Sequence, residues 1–255
     1  MTEEHTPRTI KAVERASTII HLLEDEGKMT LTEIANELDV SKSTVHTYLR
    51  TLSQEGFLAR TSDTYRLSLR HLSLSERVKN RISIYDDMKH EVDALAEKTD
   101  ERAQFAKLEE DMVVFIYRAM SENAIPTTLS LGEYVYPHSV AAGKAMIAYL
   151  PDHRVNEIVE RNGLPKQTEN TVTDLDELKR RLDKVRERGY AFSDGERLRG
   201  VRCIGTPIRD DSGRVLGAIS VSGPARRMTD ERIDTELEDM LLESANVIEV
   251  NVKLS

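Results

Sequence analysis

Residues 41–56 read SKSTVHTYLRTLSQEG. Val45, Tyr48, Leu49 and Leu52 recur at intervals of three and four, the spacing of one face of a helix. Ser41 stands where a cap belongs, and Gly56 supplies a C-terminal stop. The opposite face presents Lys42, Ser43, Thr44, His46, Thr47, Arg50 and Gln54, all donors or cations. What such a face is for depends on what surrounds the helix.

Upstream, Ile10, Val13, Ala16, Ile19, Ile20 and Leu23 mark an amphipathic helix that stops at Gly27. A second helix starts after Thr30, where TLTE has the form of a capping box between Thr30 and Glu33, and Leu31, Ile34, Ala35 and Leu38 form its apolar stripe. Downstream, FLART and TYRLS are two short strand-like runs about Ser62 and Asp63, the pattern of a hairpin. Helix, helix, short turn, helix and hairpin make a winged helix-turn-helix. A helix fits the major groove of double-stranded DNA, so Ser43, Thr44, His46 and Thr47 are expected to reach base edges, with Lys42 and Arg50 on phosphate or guanine. Arg60 and Arg66, flanking the hairpin turn, are placed to touch the adjacent backbone or minor groove.

Charge supports this locally. The 255-residue chain carries a formal charge of −9, which argues against nucleic acid as a whole. Within residues 41–70, however, Lys42, Arg50, Arg60, Arg66 and Arg70 face only Glu55 and Asp63, so the acid lies elsewhere. The polar start MTEEHTPRTI and the lack of a long apolar run predict a cytoplasmic protein with no membrane partner. Cys203 is the only cysteine, which excludes an intrachain disulfide and a cysteine-rich zinc site. No metal and no cofactor are expected: seven scattered histidines show no ligand spacing, and AAGKA lacks the glycine and hydroxyl residues of a phosphate loop.

Residues 73–100 carry Leu74, Val78, Ile82, Tyr85, Met88, Val92, Leu95 and Ala96 at helical spacing, with room for one break. From Ala103 the pattern turns to strands: AQFAKLE, DMVVFIYRA, VRCIGTPIRD and RVLGAISVSG, the last two joined at Asp211, Ser212 and Gly213. Helical runs AAGKAMIAYL, DHRVNEIVERNG and TDLDELKRRLDKVRERGY intervene, and TDERIDTELEDMLLESANVIEVNV closes the chain. The expected fold class is α+β: an N-terminal winged helix-turn-helix over 1–72, a linker helix over 73–88, and an effector-binding and oligomerisation domain with a mainly antiparallel sheet over 89–255. Duplex operators are usually read by paired modules, which predicts a homodimer or homotetramer.

HSVAAGKAMIAYL, followed by RGYAFSDGERLRGVRCIGTPIRDDSGRVLGAISVSGPARRM, resembles the signature of IclR-family transcriptional regulators, and the N-terminal helices resemble that family's DNA-binding half. The resemblance runs over nearly the whole chain. It implies a GAF-like C-terminal domain that holds a small effector, an organic acid, aromatic acid or sugar-derived metabolite. The positions that match the family's pocket are Ala141 and Ala142 through their backbone, Asp194, Cys203, Ser220 and Ser222. Ser220 and Ser222, two apart on one strand, share a sheet face. Hydroxyls, helix-start amides and a weak thiol donor suit the binding of a carboxylate without chemistry. Where relatives often have paired acids after GYA, this chain has Ser193, Asp194 and Gly195; with one carboxylate fewer, Arg197, Arg199 or Arg202 are placed to help hold a more anionic or larger ligand. No nucleophile and base, metal cluster or phosphate loop points to an enzyme. The competing reading is a ligand-independent DNA-binding protein whose second domain only oligomerises.

Overall fold

The computed structural model describes residues 9–124 and 129–254. The chain divides into two compact units, with the boundary between Ile82 and Ser83.

The first unit runs α1 (Lys11–Glu26), β1 (Met29–Thr30), α2 (Leu31–Glu37), α3 (Lys42–Gln54), β2 (Leu58–Thr61), β3 (Thr64–Leu67) and α4 (Arg70–Lys79). The Thr30 capping box forms in both directions: Glu33 N donates to Thr30 Oγ1 at 3.3 Å, and Thr30 N donates to Glu33 Oε2 at 2.7 Å. Ile19, Leu23, Ile34, Val45 and Leu49 close the core between the three helices. β2 and β3 pair antiparallel about Ser62 and Asp63, and Ser62 takes the left-handed conformation at φ 57°. The strand reading lacked β1, two residues long, which adds to the free edge of β3 through Met29 and Tyr65. Ser68 and His71 bind the carbonyls of Gly56 and Phe57, fastening the start of α4 to the segment after α3. Two apolar stretches stay uncovered. Ile10 and Val13 at the start of α1, read as part of its apolar face, are exposed, and no residue of α4 is buried. The helix expected over 73–100 is interrupted between Lys79 and Tyr85.

The second unit contains α5 (Tyr85–Thr99), β4 (Arg102–Glu109), β5 (Met112–Met120), β6 (Tyr134–Val135), a 3-10 turn (Pro137–Ser139), α6 (Ala141–Ile147), α7 (Asp152–Asn162), α8 (Leu175–Arg188), β7 (Ala191–Asp194), β8 (Val201–Arg209) and β9 (Val215–Pro224). It closes with α9 (Asp230–Arg232), a π turn (Ile233–Leu237) and α10 (Glu238–Leu254). The six strands lie in the order β6-β5-β4-β9-β8-β7, every neighbouring pair antiparallel. α6 packs on one face, over a core of Ala106, Phe115, Met146, Leu178, Leu182 and Ala218, while α5 and α10 pack against each other and the sheet strands. The fold is α+β, with helices segregated about an antiparallel sheet.

α6 sits unusually close to its neighbours, and two glycines permit it. A Cβ on Gly143 would lie 2.4 Å from the Pro137 carbonyl oxygen; one on Gly205 of β8 would meet Ala142 N at 3.0 Å and Ala141 C at 3.1 Å. Gly143→Ala is therefore expected to destabilise this unit by about 1–3 kcal/mol, as overpacking does, even though alanine favours a helix by up to about 1 kcal/mol. Denaturant unfolding at unchanged slope reads this directly, and a raised midpoint would show that the 3-10 turn yields instead.

Candidate functional site

The outer face of α3 is open. Ser41 caps the helix by accepting from Thr44 N at 3.2 Å, and its Oγ lies 2.9 Å from Ser43 Oγ and 2.8 Å from Thr44 Oγ1. Thr44 is half-buried and its hydroxyl belongs to this cap, so it is the least available of the expected base readers. Thr47 Oγ1 donates back to Ser43 O at 3.1 Å but stays exposed, as do Lys42, Ser43, His46 and Arg50. Among the described residues neither Lys42 nor Arg50 has an ion-pair partner, so both charges are available to an external anion. The wing arginines are not equivalent. Register pairs Arg60 with Tyr65 and Ala59 with Arg66, which puts Arg60 and Arg66 on opposite faces of the ribbon. Arg60 stacks over the Tyr65 ring at 5.6 Å and donates Nε to Ser62 O at 2.8 Å; Arg66 Nη1 donates to Leu67 O at 3.1 Å.

In the second unit one sheet face changes character along its strands. Ala106, Gln104 and Arg102 follow each other on one face of β4; opposite them on β9 stand Ala218, Ser220 and Ser222. Cys203 of β8 pairs with Ser222, and Ser193 of β7 pairs with Cys203. Directly opposed residues share a face, so Arg102, Ser222, Cys203 and Ser193 form a polar row across four strands beside the apolar core. This row and the start of α6 enclose a cavity of about 50 Å³, lined also by Ser139, Leu129, Arg197 and Leu198. Arg102 Nε donates to Ser222 Oγ at 3.0 Å and to Gln104 Oε1 at 3.2 Å. Burial lowers the Arg102 pKa, opposed by Cys203 and reinforced by the nearby Arg118 and Arg197 cations. Burial pushes the half-buried Cys203 thiol up to about 11.

Of the residues matched to the family pocket, Ala141, Ala142, Cys203, Ser220 and Ser222 converge on this cavity. Asp194 does not. Alternation along β7 turns Ser193 inward and Asp194 outward, where it is exposed and lies 3.4 Å from Arg202 Nε. Arg197 reaches the cavity and pairs with Glu133 at 3.1 Å, Arg199 is exposed and pairs with Glu169, and Arg202 turns to Asp230 and the Phe192 ring. Asp194 instead lines a wider, open cleft of about 770 Å³ along α8. That cleft is larger, but its buried charges are already committed: Lys144, 1% exposed, holds Glu196 at 2.6 and 2.5 Å, and Arg181 holds Glu196 at 2.9 Å. Burial lowers the Lys144 pKa, and the Glu196 carboxylate opposes that shift. His138 is buried with Nε2 3.2 Å from Pro165 O, a packed residue whose pKa burial lowers. Among the described residues no cluster of three or more His, Cys, Asp or Glu could hold a metal ion, and no helix is long and apolar enough to cross a membrane.

The family model for the bacterial transcriptional regulator IclR C-terminal domain matches residues 76–250, and that for the IclR helix-turn-helix domain matches residues 12–62. The chain belongs to the IclR family of transcriptional regulators. It is 32% identical to a probable HTH-type transcriptional regulator ArcR of Halobacterium salinarum, covering 97% of this chain and 95% of that one. The crystal structure of the Thermotoga maritima IclR superposes with a TM-score of 0.80 at 30% identity, over 94% of this chain and 96% of the other. An IclR homolog from Microbacterium hydrocarbonoxydans, solved in complex with 4-hydroxybenzoate, shares the fold at a TM-score of 0.81 and 22% identity, over 96% of this chain and 100% of the other. IclR-family members are transcriptional regulators, not enzymes.

Arg102, Gln104, Ser139 and Ser193 line the cavity, although the sequence reading singled out none of them as a pocket residue and named Ser193 only as standing in place of an acid. The polar alternation in RAQF and the serine in AFSD were visible, but their meaning depends on pairing with β9 and β8, more than a hundred residues away for β4. The thiol makes one testable statement. With its pKa about two units above the ordinary value, Cys203 should react with a thiolate-directed alkylating agent at pH 7 to 8 roughly a hundredfold more slowly than a free cysteine, since only the thiolate attacks. A rate equal to that of the free amino acid in the folded protein would contradict this environment.

Proposed function

We propose that this IclR-family regulator binds a double-stranded DNA operator through α3 and the wing, and that a small metabolite in the cavity of the second unit controls its operator affinity. The observation that carries the effector reading is the sheet face that passes from apolar core to a closed row of donors. A domain serving only for assembly gains nothing from burying Arg102, Gln104, Ser220 and Ser222 around a void, since buried polar groups are costly unless met. The complex of the Microbacterium homolog with 4-hydroxybenzoate supports an acid as ligand.

In this reading residues 1–72 are the DNA reader, 73–88 the linker, and 89–255 the effector-binding and oligomerisation domain. Residues 1–8, 125–128 and 255 of those spans lie outside the described residues. Lys42, Ser43, His46, Thr47 and Arg50 face the major groove, with Thr44 held in the cap, and Arg60 and Arg66 meet the DNA backbone from the two faces of the wing. The exposed Ile10, Val13, Leu72 and Val78 support assembly into a homodimer or homotetramer. A metabolite needs several times the present 50 Å³, so it enters by displacing the cover made by Leu129, Arg197 and Leu198. By linkage, a ligand that prefers one arrangement of the cover or subunits changes DNA affinity by the same factor as DNA changes its own.

Arg50→Ala should weaken operator binding by about 1–3 kcal/mol if Arg50 makes a bidentate contact to guanine, and by less if it meets only phosphate. Unchanged binding in a titration at fixed salt would remove it from the interface. The double substitution Ser220→Ala and Ser222→Ala should leave operator binding intact and abolish the response to the effector, found first by thermal unfolding against organic acids, aromatic acids and sugar derivatives. An unaltered response would discard the cavity as the effector site, and no response to any compound in the wild type would favour the ligand-independent alternative.

A further inference from the structure

Among the described residues that line the cavity, Gln104 alone has a buried side-chain polar atom with no hydrogen-bond partner, its Nε2. The residue is 3% exposed. Its amide orientation is set by its neighbours: Oε1 lies 3.2 Å from Arg102 Nε and 3.4 Å from Ser222 Oγ. An arginine N–H can only donate, so the atom facing it must be the carbonyl oxygen, and the NH2 group points to the other side. Its cross-strand partners on the same face are Ser220 of β9 and Arg118 of β5. A buried donor without an acceptor is rare in a folded protein and marks a place where a partner is missing. The described residues around the cavity include Arg102 and Arg197, four serines and no carboxylate. Arg197 is held by Glu133, which stands outside that lining. A lining this rich in donors matches an anionic oxygen better than a neutral, donor-bearing ligand.

We propose that Gln104 reads the effector: its Nε2–H donates to an oxygen of a carboxylate ligand, and Arg102 is the positioning residue that holds the amide in the donating orientation. This rests on the reading of the cavity as the effector site and adds to it a residue that distinguishes the ligand's carboxylate. Gln104→Glu separates the role from folding. It keeps the acceptor that Arg102 and Ser222 use, and strengthens it by a charge, while turning the donor into a second anionic oxygen. Gln104→Met removes the donor without adding charge.

The test is thermal unfolding and calorimetric titration of the full-length wild type and both variants. The probes are acetate, pyruvate, succinate, benzoate and 4-hydroxybenzoate, with acetamide and benzamide as neutral matches. The expected result is that at least one acid binds the wild type in preference to the neutral matches. Its affinity should fall by about tenfold or more in Gln104→Met, the loss expected for a hydrogen bond to a charged group, and further in Gln104→Glu, while the unliganded Gln104→Glu protein keeps a cooperative transition. An acid held equally by wild type and both variants, yet lost on Ser220→Ala with Ser222→Ala, overturns the role of Gln104 and leaves effector control standing. Neutral amides bound as tightly as the acids overturn the anionic class. No response to any of these acids overturns this assignment, whereas effector control itself falls only if sugar derivatives also fail.

Discussion

The close approach of α6 to the sheet governs the second unit. Helices normally stand off a sheet by the thickness of their side chains; here Gly205 removes that thickness, the backbone of Ala141 and Ala142 comes within van der Waals reach of β8, and Gly143 lets the Pro137 carbonyl of the 3-10 turn close in beside the helix. The helix start thus forms one wall of the cavity, and the strands form its floor. A side chain at Gly143 would collide with the Pro137 backbone, and one at Gly205 would press on the backbone of Ala141 and Ala142.

Behind the helix the closure is electrostatic. Lys144 leaves α6 into a fully buried position and meets Glu196, which Arg181 of α8 also holds; Thr168 and Thr171 take the backbone carbonyls of Gly195 and Glu196 at 2.6–3.3 Å. A buried pair of this kind contributes little net stability against an apolar substitute, but losing one partner leaves an uncompensated charge, which is strongly destabilising. Arg197 and Leu198, which line the cavity, follow directly after this anchored point. The position of that side of the lining is therefore tied to α6 and α8 through Glu196.

The first unit solves a different problem, since it must present cations on an acidic chain. Elsewhere most described arginines are spent on carboxylates or carbonyls: Arg154 and Arg161 on Asp111, Arg227 and Arg232 on Glu101, Arg186 on Asp183 and Asp152. On α3 the cap hydroxyls bind one another and leave Lys42 and Arg50 without a carboxylate in reach. A net charge of −9 says little about what this surface attracts, because screening over about 8 Å at physiological salt makes the local arrangement decide.

Local chemistry was legible in the sequence. The Thr30–Glu33 capping box, the Ser41 cap, the apolar stripes of α2 and α3, the hairpin about Ser62 and the four long strands follow from short-range periodicity and turn residues, and the α+β class follows from them; the family was legible only through the resemblance of HSVAAGKAMIAYL and the segment from RGYAF onward to IclR regulators. β1, β6 and β7 escaped because strands of two to four residues carry too few alternations unless, as in β2 and β3, a turn marks them as a hairpin, and Ile10 and Val13 joined the apolar face of α1 because periodicity shows such a face but not what covers it. The cavity residues divide for the same reason. Ser220 and Ser222 share a face by alternation alone, whereas the roles of Arg102 and Gln104 and the outward turn of Asp194 depend on which strands pair and in what register. The sequence by itself determined the elements and their capping, which are set by neighbours within about four residues. Only the tertiary structure decided which polar side chains meet, because that is settled by strand pairings between residues up to 120 positions apart.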